Sequence, residues 1–123
     1  MNEQQYQKTN WLIDTVYKGF NSRDIESVLA LMHDDIRWPK AFEGGYISGR
    51  KAIREYWTRQ WSEINPIVKP MSITKRPDYK VEVLVYQLVK DHEGKILFDG
   101  NVKHVYELQN DLLRQMDIEI DQE

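Results

Sequence analysis

The stretch that decides the fold is FNSRDIESVLALMHDDIRWPKAFEGGYISGRKAIREYWTRQW, residues 20–61. Asn21 and Ser22 are residue types that favour helix N-caps, because their side-chain oxygens accept bonds from free backbone N–H groups. Apolar residues then recur at the spacing of one helix face: Ile25, Val28, Leu29 and Met32. This first part of the stretch therefore predicts a short amphipathic helix that begins near Asn21.

The second part of the stretch predicts a strand, a turn and another helix. Asp34-Asp35 is expected to end the short helix that begins near Asn21. Residues 36–38 can form a strand as far as Pro39, which disfavours a continuing central strand. Three glycines, Gly44, Gly45 and Gly49, then mark bends. A helix with a broad aromatic face is expected next, formed by Ala52, Ile53, Tyr56, Trp57 and Trp61.

On the C-terminal side of this stretch, from Met71 onward, the spacing of apolar residues changes from helical to alternating. A first helix is predicted over about residues 4–20, with Leu12 and Val16 on its buried face. Residues 64–70 contain Pro66 and Pro70 and are predicted as a loop. Alternating segments at 71–74, 79–90, 95–108 and 112–120 predict strands, with Gly100 marking a bulge or bend. Helices followed by hairpin-connected strands indicate one α+β domain over residues 1–123, with three N-terminal helices on a strongly curved antiparallel sheet.

The amino-acid composition limits the kinds of partner that this protein is expected to bind. The chain has 123 residues, a net charge of −3 and no cysteine, so it lacks the basic stripe of nucleic-acid binders and cannot use thiolate chemistry. No apolar run approaches the roughly 20 residues that span a bilayer. The polar start lacks the features of a secretory signal. We expect a cytoplasmic protein that binds neither nucleic acid nor membrane.

The quoted stretch resembles the NTF2-like superfamily, and within it the SnoaL-like and ketosteroid-isomerase-like proteins. The resemblance rests on residues 20–24, on VLALMHDDIRW (28–38), on 45–57 and on the strand–turn–strand HVYELQNDLL at 104–113. It implies a cone-shaped, cystatin-like fold with an apolar pocket for a small hydrophobic molecule. It also implies a homodimer formed through the sheets.

The resemblance also allows the catalytic positions of ketosteroid isomerases to be compared with this chain. The general-base position falls at Lys40, which is protonated near neutrality and is a poor base. The tyrosine position falls at Val16, beside Tyr17, and the oxyanion-hole acid position falls at His104. Since only His104 retains suitable chemistry, ketosteroid isomerisation is not supported.

His104 and Asp117 are the candidate catalytic residues. His104 is a titratable group on an otherwise apolar strand face, and either a core histidine or an acid/base or ligand-contacting residue fits this pattern. Asp117 is the nearest match to the acid/base carboxylate that SnoaL-type cyclases hold on the final strand. Its alternation is opposite to that of Met116 and Ile118, so it points out of the cone unless a bulge intervenes.

The candidate ligand-binding residues are mostly aromatic, and most aromatic residues in such a chain serve the core. Arg114 shares alternation with Met116, so it could pair with an anionic ligand at the mouth or remain an exposed basic residue. Glu43 could replace the missing base only if its loop is shifted. The predicted ligand-binding set is Tyr17, Trp38, Phe42, Glu43, Trp57, Tyr86 and Arg114.

Two functional hypotheses follow from the sequence. The first is a cofactor-independent isomerase, lyase or cyclase that acts on a small hydrophobic metabolite, with His104 as acid/base or hydrogen-bond donor. The second is a non-catalytic ligand-binding or dimerisation module on the same fold. The three histidines have no metal-ligand spacing, so no metal site and no cofactor are expected.

Overall fold

The computed structural model describes residues 3–40, 43–78 and 80–120. Within these ranges the chain forms three helices and six strands. The helices are α1 (Glu3–Asn21), α2 (Ile25–Leu29) and α3 (Arg50–Glu63). The strands are β1 (Met32–Pro39), β2 (Tyr46–Ser48), β3 (Ile64–Lys75), β4 (Val81–Asp91), β5 (Ile96–Gln109) and β6 (Leu112–Ile120).

One sheet contains all six described strands, in the order β2-β1-β6-β5-β4-β3. Every neighbouring pair is antiparallel except β1 and β6, which are parallel. The predicted α+β class, with helices on an antiparallel sheet, is therefore confirmed, with one parallel pairing that the sequence did not reveal. The strong curvature of the sheet stays a prediction.

The helix α2 is shorter than predicted and begins later. Its N-cap is Asp24, whose carboxylate accepts a hydrogen bond from the backbone N–H of Ser27, and not Asn21 or Ser22. The helix ends at Leu29, so Met32 and the Asp34-Asp35 pair belong to β1. Gly19 allows α1 and α2 to approach closely, because a Cβ there would lie 2.5 Å from Cγ2 of Val28.

The segment predicted as a loop at residues 64–70 is the first half of β3. Pro66 and Pro70 each lack a backbone N–H, which argues against a central strand. However, β3 is an edge strand that pairs only with β4, and an edge strand tolerates proline because one of its sides makes no ladder hydrogen bonds. The prolines therefore indicated an edge strand, and the loop prediction was wrong.

A β-bulge in β6 changes which face Arg114 occupies. Opposite β5, Leu113 pairs with Leu108 and Gln115 pairs with Glu107, so Arg114 is the extra residue. Leu113 and Met116, three residues apart, are both buried on the same side of the sheet. The β5–β4 register, in contrast, runs through Gly100 without a shift.

The three helices cover one face of the sheet, which we call the inner face. Its alternating residues on β4, Val81, Val83 and Val85, are fully buried against α1 and α3 side chains such as Ile13 and Ile53. None of the helices in the described ranges is long and apolar enough to cross a membrane.

Candidate functional site

A cavity of about 60 Å³ lies between α1, α3 and the inner face of the sheet. It is lined by Val16, Tyr17, Phe20, Trp38, Pro39, Tyr56, Trp57, Gln60, Pro66, Val68, Gln87, His104, Tyr106, Met116 and Ile118. A single water needs about 10–15 Å³ of such space, so the cavity has room for a few waters or for one compact ring-sized group. We call it the inner cavity.

A chain of three buried polar side chains lies in the wall of the inner cavity. The Tyr106 hydroxyl donates to the Tyr17 hydroxyl at 2.8 Å, and the Tyr17 hydroxyl lies 2.7 Å from Nδ1 of His104. With Tyr106 as donor to Tyr17, the tautomer of His104 that gives the Tyr17 proton an acceptor is the one with a free Nδ1, which carries its own proton on Nε2. Tyr17 comes from α1, whereas His104 and Tyr106 are successive inner-face residues of β5.

Burial keeps all three groups uncharged near neutral pH. Desolvation lowers the pKa of His104 from 6.5 to about 4, because burial disfavours the imidazolium. The pKa of Tyr17 is raised well above its usual value, first by burial and then by the neighbouring Tyr106. Burial also raises the pKa of Tyr106. The three side chains therefore form a relay of hydrogen bonds between uncharged groups.

Nε2 of His104 is the end of this relay that a ligand can use. Among the residues that the structure describes, none forms a hydrogen bond with this nitrogen, and His104 lines the inner cavity. A neutral Nε2–H can donate to a carbonyl or hydroxyl oxygen. Full proton transfer from Nε2 would draw protons along the relay and leave a buried phenolate, which the raised pKa values of Tyr17 and Tyr106 oppose.

The rest of the inner cavity is apolar and aromatic. The described residues that line it include no aspartate, glutamate, lysine or arginine. Trp38 and Trp57 meet edge to face, with ring centroids 5.5 Å apart, and they enclose the space opposite the β5 residues. A ligand that fits this environment is uncharged, compact where it is enclosed, and bears one hydrogen-bonding oxygen.

The comparisons with known proteins agree with this architecture. A family model of the SnoaL-like domain matches residues 13–70. TerC co-crystallised with polyporic acid is similar in structure, with a TM-score of 0.79, 23% sequence identity and coverage of 93% of this chain and 92% of TerC. The chain has the NTF2-like fold and is SnoaL-like over residues 13–70. The family resemblance inferred from the sequence is thereby confirmed.

Two further structures have the same fold. An NTF2-like protein of unknown function from Burkholderia pseudomallei has a TM-score of 0.79 at 20% identity, covering 93% of this chain and 91% of its own. Rv0760c from Mycobacterium tuberculosis, in complex with estradiol-17β-hemisuccinate, has a TM-score of 0.75 at 15% identity, covering 89% and 90%. No curated protein matches the sequence significantly.

Four of the residues predicted for the SnoaL-like site do line the inner cavity: Tyr17, Trp38, Trp57 and His104. Tyr17 and His104 are in direct contact, although they are 87 positions apart in the chain. The resemblance had assigned the tyrosine position to Val16, and both Val16 and Tyr17 line the cavity because they lie on neighbouring faces of α1.

Three other candidates lie outside the inner cavity. Tyr86 has the opposite alternation to Val85 on β4, and its hydroxyl donates to Asp99 at 2.7 Å in an exposed position. Asp117 is also on the outer face, where it accepts a hydrogen bond from the Tyr46 hydroxyl. The guanidinium of Arg114, displaced by the bulge, donates to the backbone oxygen of Asp35 at 2.6 Å.

The loop after β1 accounts for the remaining candidates. Glu43 pairs with Arg59 at 2.9 Å on the surface near the end of α3, beyond the inner cavity. Phe42 lies outside the described residues. Lys40, which the sequence comparison with ketosteroid isomerases placed at their base position, is not among the described residues that line the inner cavity.

Sequence reasoning missed several residues that line the cavity. Gln87 shares alternation with Val83 and Val85, so strand periodicity alone would have placed it on the inner face. Gln60 lies one helical turn after Tyr56, and its Nε2 donates to the Tyr56 hydroxyl at 2.9 Å. Pro66 and Val68 were missed for another reason, because the segment that holds them was predicted as a loop.

Across residues 3–40, 43–78 and 80–120, no group of three or more histidine, aspartate or glutamate side chains is arranged to hold a metal ion. Among the described residues, the side chains with polar groups that line the inner cavity are three tyrosines, one histidine, two glutamines and two tryptophans. This set suits hydrogen bonding to an organic ligand.

Proposed function

We propose that this SnoaL-like chain binds a small, uncharged hydrophobic molecule that carries a carbonyl or hydroxyl group. The observation that carries the proposal is the unpartnered Nε2 of His104 at the end of the Tyr106–Tyr17–His104 relay, in a cavity whose described lining holds no charged side chain. The Nε2–H would donate to the ligand oxygen, and Trp38 and Trp57 would enclose the ring. Ligands named for two proteins of the same fold, polyporic acid and estradiol-17β-hemisuccinate, support a cyclic oxygen-bearing class.

The proposal is tested with phenol as the probe, since its ring fits a small cavity and its oxygen can accept from Nε2–H. Loss of one neutral hydrogen bond corresponds to about 1 kcal/mol, so His104→Phe should weaken phenol binding about fivefold by calorimetric titration. His92→Phe is the matched control, because His92 lies in the β4–β5 turn and bonds only the backbone oxygen of Trp61 among the described residues. Equal affinity of His104→Phe and the native chain would contradict the proposal.

A second candidate is cofactor-independent isomerase, lyase or cyclase chemistry at the same site. The observation that favours it is again Nε2–H, since a neutral imidazole donor in a largely apolar cavity can stabilise the oxyanion of a developing enolate. No carboxylate base lines the cavity in the described residues, and this favours binding over turnover. Hydrogen–deuterium exchange at the α-carbon of 2-tetralone, followed by NMR, tests it: exchange that is faster with the native chain than with His104→Phe would support catalysis.

We further propose a homodimer formed through the outer face of the sheet. On this face Ile67 of β3 stands opposite Leu88 of β4, and Leu84 lies on the same side. Ile67 is 40% exposed, and such neighbouring apolar residues favour a partner surface. Light scattering should give twice the chain mass for the native protein and a monomer for Leu88→Lys. Trp11→Lys, at an exposed position of α1 on the opposite side of the sheet, should remain dimeric.

A further inference from the structure

A second, larger cavity adjoins the inner cavity. Its volume is about 270 Å³, and we call it the outer cavity. It is lined by Glu43, Tyr56, Arg59, Gln60, Glu63, Ile64, Val89 and Leu97. Since Tyr56 and Gln60 line both cavities, the two spaces are separated by the pair of side chains that share a 2.9 Å hydrogen bond.

The secondary structure makes the two cavities consecutive along one groove. On β4 the lining passes from Gln87 in the inner cavity to Val89 in the outer one, two residues further along the same face. On β3 it passes in the same way from Pro66 to Ile64. Both steps run towards the β4–β5 hairpin, so the groove between α3 and the edge of the sheet continues past the Tyr56–Gln60 pair.

The walls of the outer cavity are of two kinds. The sheet side is apolar, formed by Ile64, Val89 and Leu97. The helix side carries charges, with the Arg59 guanidinium bonded to both carboxylate oxygens of Glu43 at 2.9 and 3.1 Å. An extended apolar chain could lie against the sheet side while the ion pair remains at the solvent edge.

We propose that the outer cavity is a second subsite, which takes the apolar tail of the molecule whose oxygen-bearing ring occupies the inner cavity. The inference rests on the proposed function and extends it to a ligand class: an elongated molecule with a hydroxyl or carbonyl head and an alkyl or other apolar tail. The head hydrogen-bonds His104, and the tail passes the Tyr56–Gln60 pair and contacts Leu97. Such a tail requires Gln60 to swing away from the Tyr56 hydroxyl.

A series of 4-alkylphenols, from phenol to 4-hexylphenol, tests the subsite. Each methylene that is fully buried contributes about 0.8 kcal/mol, so the affinity should rise about fourfold for each added carbon that enters the outer cavity. Leu97→Asp places a charge on the apolar wall and should abolish this gain while leaving phenol binding unchanged. Ile96→Asp is the matched control: Ile96 is 54% exposed and Leu97 49%, and of the two only Leu97 lines the outer cavity.

The outcomes separate this inference from the function on which it rests. A chain-length gain that Leu97→Asp removes and Ile96→Asp retains supports the second subsite. A gain of the same size in all three proteins, or no gain at all, overturns it, and phenol binding that depends on His104 would leave the proposed function intact. If phenol affinity does not depend on His104 and the alkyl gain still depends on Leu97, the proposed function fails and the apolar subsite stands.

Discussion

Tyrosine hydroxyls make different hydrogen bonds on the two faces of the sheet. On the inner face, the hydroxyls of Tyr17 and Tyr106 bond to each other and to the neutral ring of His104, all buried. On the outer face, the hydroxyls of Tyr46 and Tyr86 donate to the carboxylates of Asp117 and Asp99 in exposed positions. All four phenols have raised pKa values, but burial is the main cause inside and the carboxylate hydrogen bond is the main cause outside.

This difference is a physical reason to place the candidate site on the inner face. Placing a carboxylate next to a tyrosine costs little free energy at a water-exposed position, because both groups stay solvated there. The same pair in the inner cavity would need a buried charge, whose desolvation costs several kcal/mol. A neutral relay avoids that cost and still offers one hydrogen-bond donor to a ligand. Polar residues near the outer surface, by contrast, have water as a competing partner.

The largest predicted effect comes from placing a charge on each face in turn. Val83 and Leu84 are neighbours on β4, with Val83 fully buried on the inner face and Leu84 on the outer. Val83→Asp should cost more than about 4 kcal/mol or prevent folding, because the carboxylate would be buried without a partner. Leu84→Asp, made like Val83→Asp in the monomeric Leu88→Lys background, should cost less than about 1 kcal/mol, because Leu84 lies on the outer face and is only half-buried. Urea unfolding measures both, and similar losses would remove the distinction between the faces.

An intermediate effect is expected from His104 on lowering the pH. Its pKa is about 4 in the folded chain and 6.5 when unperturbed, so between these values the unfolded chain binds a proton that the folded chain does not. Stability should therefore be full above pH 6.5 and fall as the pH drops towards 4, by roughly 3 kcal/mol in total.

Two variants isolate this contribution in urea unfolding across that pH range. His104→Phe removes the titrating group and should flatten the dependence. His33→Phe is the control, because His33 lies half-buried on β1, is not among the residues that line the inner cavity, and accepts from the backbone N–H of Asp35; this variant should keep the native slope. An unchanged slope in His104→Phe would show that other groups cause the pH dependence.

The smallest predicted effect concerns the outer face alone. The hydrogen bond to Asp99 raises the pKa of Tyr86 above its ordinary value of 10.0, so Asp99→Asn should lower that pKa towards 10. Titration followed by NMR of the Tyr86 ring carbons measures it. Phenol affinity should not change, since neither residue lines the inner cavity. A change in affinity would mean that the two faces are coupled.

Much of the fold could be predicted because its signals are local. The periodicity of residues 20–61 gave the order helix, strand, turn and helix, and the positive φ values of Asn110 (54°) and Asp111 (62°) confirm the turn predicted there. The β1–β6 pairing could not be predicted, since no local pattern encodes which distant strand a segment meets. The prolines of β3 were misinterpreted because their effect depends on whether a strand lies at an edge.

The site was predictable where strand alternation was regular. His104 on β5 was correctly placed on an apolar, inward face, and the outward direction of Asp117 was already indicated by its alternation with Met116. Arg114 was misplaced because a bulge adds one residue and reverses the alternation. Tyr86 was misplaced although the pattern of Val81, Val83 and Val85 predicts its outward direction. The Tyr17–His104 contact required the tertiary structure.

The parallel pairing of β1 with β6 determines when the site can form during synthesis. Met32 aligns with Leu113, and the backbone N–H of Leu113 donates to the oxygen of Leu31 at 3.0 Å. The last of the described strands thus joins the β1–β2 pair to the rest of the sheet, so β6 must be synthesised before the sheet that carries Trp38 and His104 is continuous. Nascent chains that lack β6 would leave β1 with an open edge, a state that favours aggregation. Slow, late completion of the sheet is the kinetic consequence of this topology.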